Sequence, residues 1–187
     1  VVPAIGAPAP TASNLKTLRR STLTLTDGPA QPPAATIYLG QANVEVKQLE
    51  LTATGEPVRL DRLTLRRTGL GGADADVAAV RVYHDTNGNG VLDADTLLAP
   101  GAAFGPPFAA GEVTFTPAGG LVTATPGTPV RLLVVFDMTG SGADLATYGT
   151  TAAVAADLSA AGTSSSLAVV PAVGAPAPTA SHLKTLR

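Results

Sequence analysis

The chain has 187 residues, a formal charge of −2 at pH 7 and a pI of about 5.6, so it has no overall attraction to nucleic acid or to an anionic membrane. Hydrophobic residues make up 45% but aromatics only 4%, enough for one buried core built mainly on Ala, Val and Leu. Cysteine is absent, which excludes a disulfide framework, and the longest unbroken apolar run, 132–136, is too short to cross a bilayer.

Residues 1–19 read VVPAIGAPAPTASNLKTLR and return at 169–187 as VVPAVGAPAPTASHLKTLR, an offset of 168, with differences at Ile5/Val173 and Asn14/His182. A word of that length at both ends implies one period, plus an overlap, of a tandem array. The expected organisation is a Pro/Ala-rich connector at 1–13, a repeat module at 14–170 and the start of the next repeat at 171–187. The connector's prolines disfavour helix and central strand; extended like polyproline II, it spans about 30 Å. Arg19–Arg20 and Arg66–Arg67 are read as solvated edge positions, because no aromatic side chain interleaves them to stack on bases.

From there the pattern is almost wholly β. Strands are expected at 21–26, 36–39, 44–54 and 57–68, the last two joined as a hairpin through the turn Thr54-Gly55-Glu56-Pro57. In both of these arms the apolar phase slips by one, which predicts a bulge or a change of sheet. Further strands are expected at 77–84, 112–116, 121–125, 129–138, 148–158 and 164–170, with 129–138 (PVRLLVVFDM) as a central strand. Phe104 and Phe108 are placed in a loop on the core, and helical turns are confined to 11–18 and 142–147. Nine or ten short strands divided by Gly, Pro, Asn and Asp turns predict an all-β chain, an immunoglobulin-like antiparallel sandwich.

One stretch carries recognisable chemistry. After His84 comes Asp85-Thr86-Asn87-Gly88-Asn89-Gly90-Val91-Leu92-Asp93-Ala94-Asp95, with oxygen-bearing side chains at loop positions 1, 3, 5 and 9 and Gly90 at position 6. Calcium takes six to eight oxygens, and a single tight loop directs alternate side chains inward when a glycine makes the sharp turn. The expected ligands are Asp85, Asn87, Asn89, the Val91 carbonyl, Asp93 and Asp95, with Asp74 or Asp76 as other sources of the last carboxylate. The helix–loop–helix version is disfavoured: position 12 is Thr96 rather than Glu, and no amphipathic helix flanks the loop. The loop more closely resembles the β-hairpin type DxDxDGxxD. A plain Asn-Gly turn is the competing reading.

The run LTLRRTGLGGADADVAAVRVYHDTNGNGVLDADTLLA, followed by PVRLLVVFDMTG and a closing alternating strand, resembles the β-sandwich repeats of large secreted or surface-anchored bacterial proteins, in which a strand feeds a DxNxNGxxDxGD loop. The resemblance covers most of 43–158; Asp85, Asn87, Asn89 and Asp93 match the loop, and this chain is one residue shorter before Asp95. It implies an extracellular, cell-surface setting, stiffening by Ca2+, and a filament, fibre or adhesin-stalk role. The expected partners are neighbouring repeats and other copies in a filament, with no nucleic acid and no membrane insertion. The continuation of 164–170 is expected to make main-chain bonds at a module junction.

Two other functions compete with this one. A carbohydrate- or ligand-binding accessory module would need an aromatic platform, for which the chain offers Tyr38, Tyr83 and Tyr148. Enzymatic activity is not expected: His182 is Asn14 in the other copy, His84 stands at a strand end, and no Ser-His or Cys-His pair is in view.

Overall fold

The computed structural model describes residues 20–98, 107–175 and 177–187. The alternating stretch STLTLT gives β1 (Thr22–Asp27), which buries Leu23 and Leu25 completely. β2 (Ala35–Ile37) follows, then the two long strands β3 (Val44–Thr54) and β4 (Val58–Thr68). A 3₁₀ turn at Asp74–Asp76 leads into β5 (Val77–His84), and β6 (Thr96–Leu97) lies beyond the acidic loop. β7 (Glu112–Phe115), β8 (Val122–Ala124), β9 (Val130–Met138) and β10 (Thr147–Thr151) come next. After a 3₁₀ turn at Ala155–Asp157, the chain closes with β11 (Leu158–Gly162), β12 (Ala168–Val169), β13 (Ala172–Val173) and β14 (Lys184–Leu186).

These strands form two sheets in a sandwich-like arrangement. The first runs β13-β1-β3-β9-β5-β6 and the second β12-β11-β4-β10-β14-β2, with β7 and β8 also paired to β4. The apolar run of β9 sits between β3 and β5, with Leu132, Leu133, Val134, Val135 and Phe136 all inaccessible, as its hydrophobicity predicts. Phe108 is buried and meets Phe136 edge to face at 5.4 Å; Phe104 lies outside the described residues, as does the helical turn expected at 11–18.

Several expectations need correction. The sheets are mixed rather than antiparallel throughout, since β13 runs parallel to β1 and β14 parallel to β2. The described residues hold fourteen strands, several of only two or three residues, instead of nine or ten. β3 and β4 are not a hairpin. β3 spends both edges on β1 and β9, so the Gly55 turn, at φ +83°, carries the chain across to the other sheet. The strand expected at 148–158 is broken at 155–157, where Asp157 Oδ2 accepts the Ala153 and Val154 N–H groups at 3.1 and 3.2 Å. The strand expected at 164–170 is only β12, because a turn separates it from β11. No helical turn forms at 142–147.

Both phase slips are bulges. Opposite β9 the register of β3 shifts between Glu45 and Lys47, and opposite β11 that of β4 skips Asp61. The slip in β3 turns Lys47 inward on the face of Leu49, while Gln48, opposite Leu133, is buried on the other face of the sheet.

Strand pairings also fix where the chain enters and leaves. Thr22 pairs with Thr54, so the described chain starts at the pole of the Gly55 turn. At the opposite pole Gly40 N–H donates to Thr139 O, just past the end of β9, and Arg187 N–H donates to Ile37 O at 2.9 Å. The residues expected to begin the next repeat, 171–187, supply β13 to one sheet and β14 to the other in this same sandwich.

Candidate metal-binding loop

β5 delivers Asp85 to the edge of the first sheet, where its N–H donates to the Arg131 carbonyl at 3.0 Å. The Asp85 carboxylate is 3% exposed and organises the loop. Oδ1 accepts the Gly88 N–H at 2.7 Å, while Oδ2 accepts the Gly90 N–H at 2.9 Å and Gln48 Nε2 at 2.6 Å. Gly90, at φ +73°, lies against Ala30; a Cβ there would stand 2.0 Å from the Ala30 carbonyl oxygen. The Asx-type bonds that suit Asn to tight turns shape the rest: Asn89 N–H to Asn87 Oδ1 at 3.0 Å and Val91 N–H to Asn89 Oδ1 at 2.8 Å.

Three of the expected ligands meet. The Asn87 and Asn89 amides both donate to Asp93 Oδ2 at 2.9 Å, which holds that carboxyl below its usual range. Asp95 stands to one side. Its Oδ1 accepts the Thr86 N–H at 3.1 Å, and its buried Oδ2 has no hydrogen-bond partner. Burial pushes the Asp95 carboxyl up, the Thr86 N–H opposes this, and the charges of Asp85 and Asp93 add to the rise. Val91 is exposed at the loop tip.

Asp74 and Asp76 do not join this loop. They precede β5 while Asp85 follows it, and eight strand residues at about 3.3 Å each hold them about 25 Å apart. Each is engaged locally: Asp74 with Arg67 at 2.6 Å and the Gly111 N–H at 2.7 Å, Asp76 with the Tyr148 hydroxyl at 2.7 Å. Among the described residues, no three His, Asp or Glu side chains gather closely enough to hold a metal. The donors are nevertheless of the kind calcium takes, all oxygen, and the partnerless Asp95 oxygen lies within the same loop.

The residues that support the loop were not legible as such. Gln48 joins Asp85 to the Ala30 N–H, which it accepts through Oε1 at 2.8 Å, and Gln31 Nε2 donates to the Gln48 carbonyl at 2.6 Å. The alternation of β3 marks neither, since Gln48 is on the face turned away from the core and is buried by residues 28–31.

Elsewhere, Arg66 pairs with Asp157 at 2.9 Å and with Glu112, and Arg67 with Asp74. Of the three tyrosines, Tyr148 is in the core and Tyr38 is 61% exposed, so with Tyr83 half-buried no two form an open platform. His182 is exposed.

No family model and no curated protein matches the chain. Among solved structures it is similar to AvmM, which catalyses macrocyclization in alchivemycin A biosynthesis, with 13% identity over 89% of this chain and 88% of that one and a TM-score of 0.36. That neighbour is a catalyst, so the expectation that the chain is not an enzyme is withdrawn. A likeness this distant carries no argument for any particular reaction here.

Proposed function

We propose that the chain is an immunoglobulin-like repeat module of an extracellular array, a surface filament, fibre or adhesin stalk, stiffened by calcium. The observation that carries this reading is the duplicated word at 1–19 and 169–187, on a module whose described chain starts at one pole and finishes at the other. Repeats joined in that way extend along one axis and touch mainly their neighbours. The pole where the chain leaves exposes Tyr38, Leu39, Leu70 and Leu145, apolar area of the kind a following repeat would cover.

In this reading Asp85, Asn87, Asn89, the Val91 carbonyl and Asp93 hold Ca2+, and Asp95 supplies the further carboxylate. A half-turn of each Asn amide exchanges its nitrogen for its oxygen beside Asp93, trading two backbone hydrogen bonds for metal contacts. Bound calcium would neutralise the loop's carboxylates and pin it to β5 and Gln48.

Calorimetric titration of the chain with calcium, alongside melting curves with and without chelator, tests the proposal. Heat of binding and a higher melting temperature are expected, both abolished in Asp93→Ala. Neither heat nor stabilisation would overturn the calcium assignment.

A further inference from the structure

The second copy of the duplicated word has a defined place in the sandwich. β14 lies between β10 and β2, in register Thr147↔Thr185 and Tyr148↔Lys184 on one side and Lys184↔Ala35 through Leu186↔Ile37 on the other. Leu186 N–H donates to Ala146 O at 2.9 Å, Leu145 N–H to Leu186 O at 3.0 Å, and Ser181 N–H to Thr150 O at 3.0 Å. Pro171, Pro178, Ser181, Lys184 and Leu186 are buried. Buried Lys184 donates through Nζ to the Pro33 carbonyl.

These five are identical in the first copy, as Pro3, Pro10, Ser13, Lys16 and Leu18, and so is buried Val169, which is Val1 there. The two differences avoid them: His182, where the first copy has Asn14, is exposed, and Val173, where it has Ile5, is half-buried. The first copy therefore carries every side chain buried in the second, and residues 14–19 hold Lys16 and Leu18, the two that β14 buries.

They cannot fill the slot of their own module in that register. Arg19 would take the place of Arg187 at the pole where the chain leaves, while Arg20, one peptide bond of about 3.8 Å away, is fixed beside Thr22 and the Gly55 turn at the other pole. Resting on the array reading above, we infer that residues 14–19 are a donor strand for a second copy of this module and occupy its slot between β2 and β10. The structural module is then 20–187, each copy closed by the last residues before the next begins.

The test uses the full chain with Leu186→Asp, which expels its own strand from the slot, and a synthetic peptide of residues 1–19. The peptide is expected to raise the melting temperature of L186D by several degrees, or to fold it if it is unfolded alone, and the same peptide with Leu18→Asp should do neither. Because the chain has no cysteine, L186D carrying T147C should also form a disulfide with L186D carrying T17C, the position equivalent to Thr185. A protein that responds to neither peptide, or to both alike, overturns the inference. The duplicated word and the wild-type calcium titration are untouched by that result, so the calcium-stiffened array and the strand donation fail separately.

Discussion

Lys47 ties the end of β1 to the segment between β13 and β14. Its ammonium, 1% exposed, lies 2.5 Å from Asp27 Oδ1 at the end of β1 and donates to the Thr179 carbonyl at 2.9 Å. Asp27 completes the clasp by accepting the Thr179 hydroxyl and N–H at 2.7 and 3.1 Å. Burial works to raise the Asp27 carboxyl, but Lys47 and Thr179 together hold it below its ordinary 3.8. Between its folded and unfolded values the native state binds fewer protons, so this stabilisation is complete above about pH 4 and fades as the pH falls through the folded value. Melting temperature measured from pH 6 down to pH 2 should fall more steeply in the wild type than in Asp27→Asn. A second buried contact, the Tyr148 hydroxyl on Asp76, gives a separate prediction: Tyr148→Phe should cost about 1.5–3 kcal/mol in urea denaturation, the usual range for a hydrogen bond to a charged group. None of these partners was legible in the sequence, since they lie 20 to 152 residues apart. The loop residues Asn87, Asn89 and Asp93 were, because their chemistry is local.

At the level of elements, the long strands declared themselves and their pairing did not. Alternation placed β3 and β5 at their observed limits, and the slips in apolar phase marked both bulges. A turn such as Thr54-Gly55-Glu56-Pro57 reverses the chain equally well within a sheet or between sheets, and the choice falls to strands that arrive later, here β9. Two-residue strands such as β6, β12 and β13 have too few side chains to show a period and exist because a neighbour's edge is free. The bulge in β4 can be tested directly. Deleting Asp61 leaves Val58, Leu60, Leu63 and Leu65 in strict alternation, so all four stay on the core face once the bulge is gone, whereas deleting Arg59 turns Val58 to the opposite face at about 1.5–3 kcal/mol. Cooperative melting followed by circular dichroism should therefore survive the Asp61 deletion, while the Arg59 deletion should lower the melting temperature.

For the whole molecule, the sequence displayed the repeat but not where one module stops, because the boundary depends on what residues 171–187 pack against. With the described chain starting at the Gly55 pole and finishing at the other, tension along the proposed array would act on β1 and β14 lengthwise. Each strand would then be sheared against its neighbours, loading its hydrogen bonds together instead of opening them one after another. The grips are unequal: β1 has six residue pairs with β3, whereas β14 has three with β2 and two with β10. Stretched between its ends in a force-spectroscopy experiment, the module should yield first at β14, the Lys47 clasp and β13, releasing residues 171–187 as about 55 Å of extended chain at about 3.3 Å per residue before the rest of the sandwich opens. A string of such modules would behave as a shock absorber, lengthening under a sudden pull and recoiling while every core stays shut.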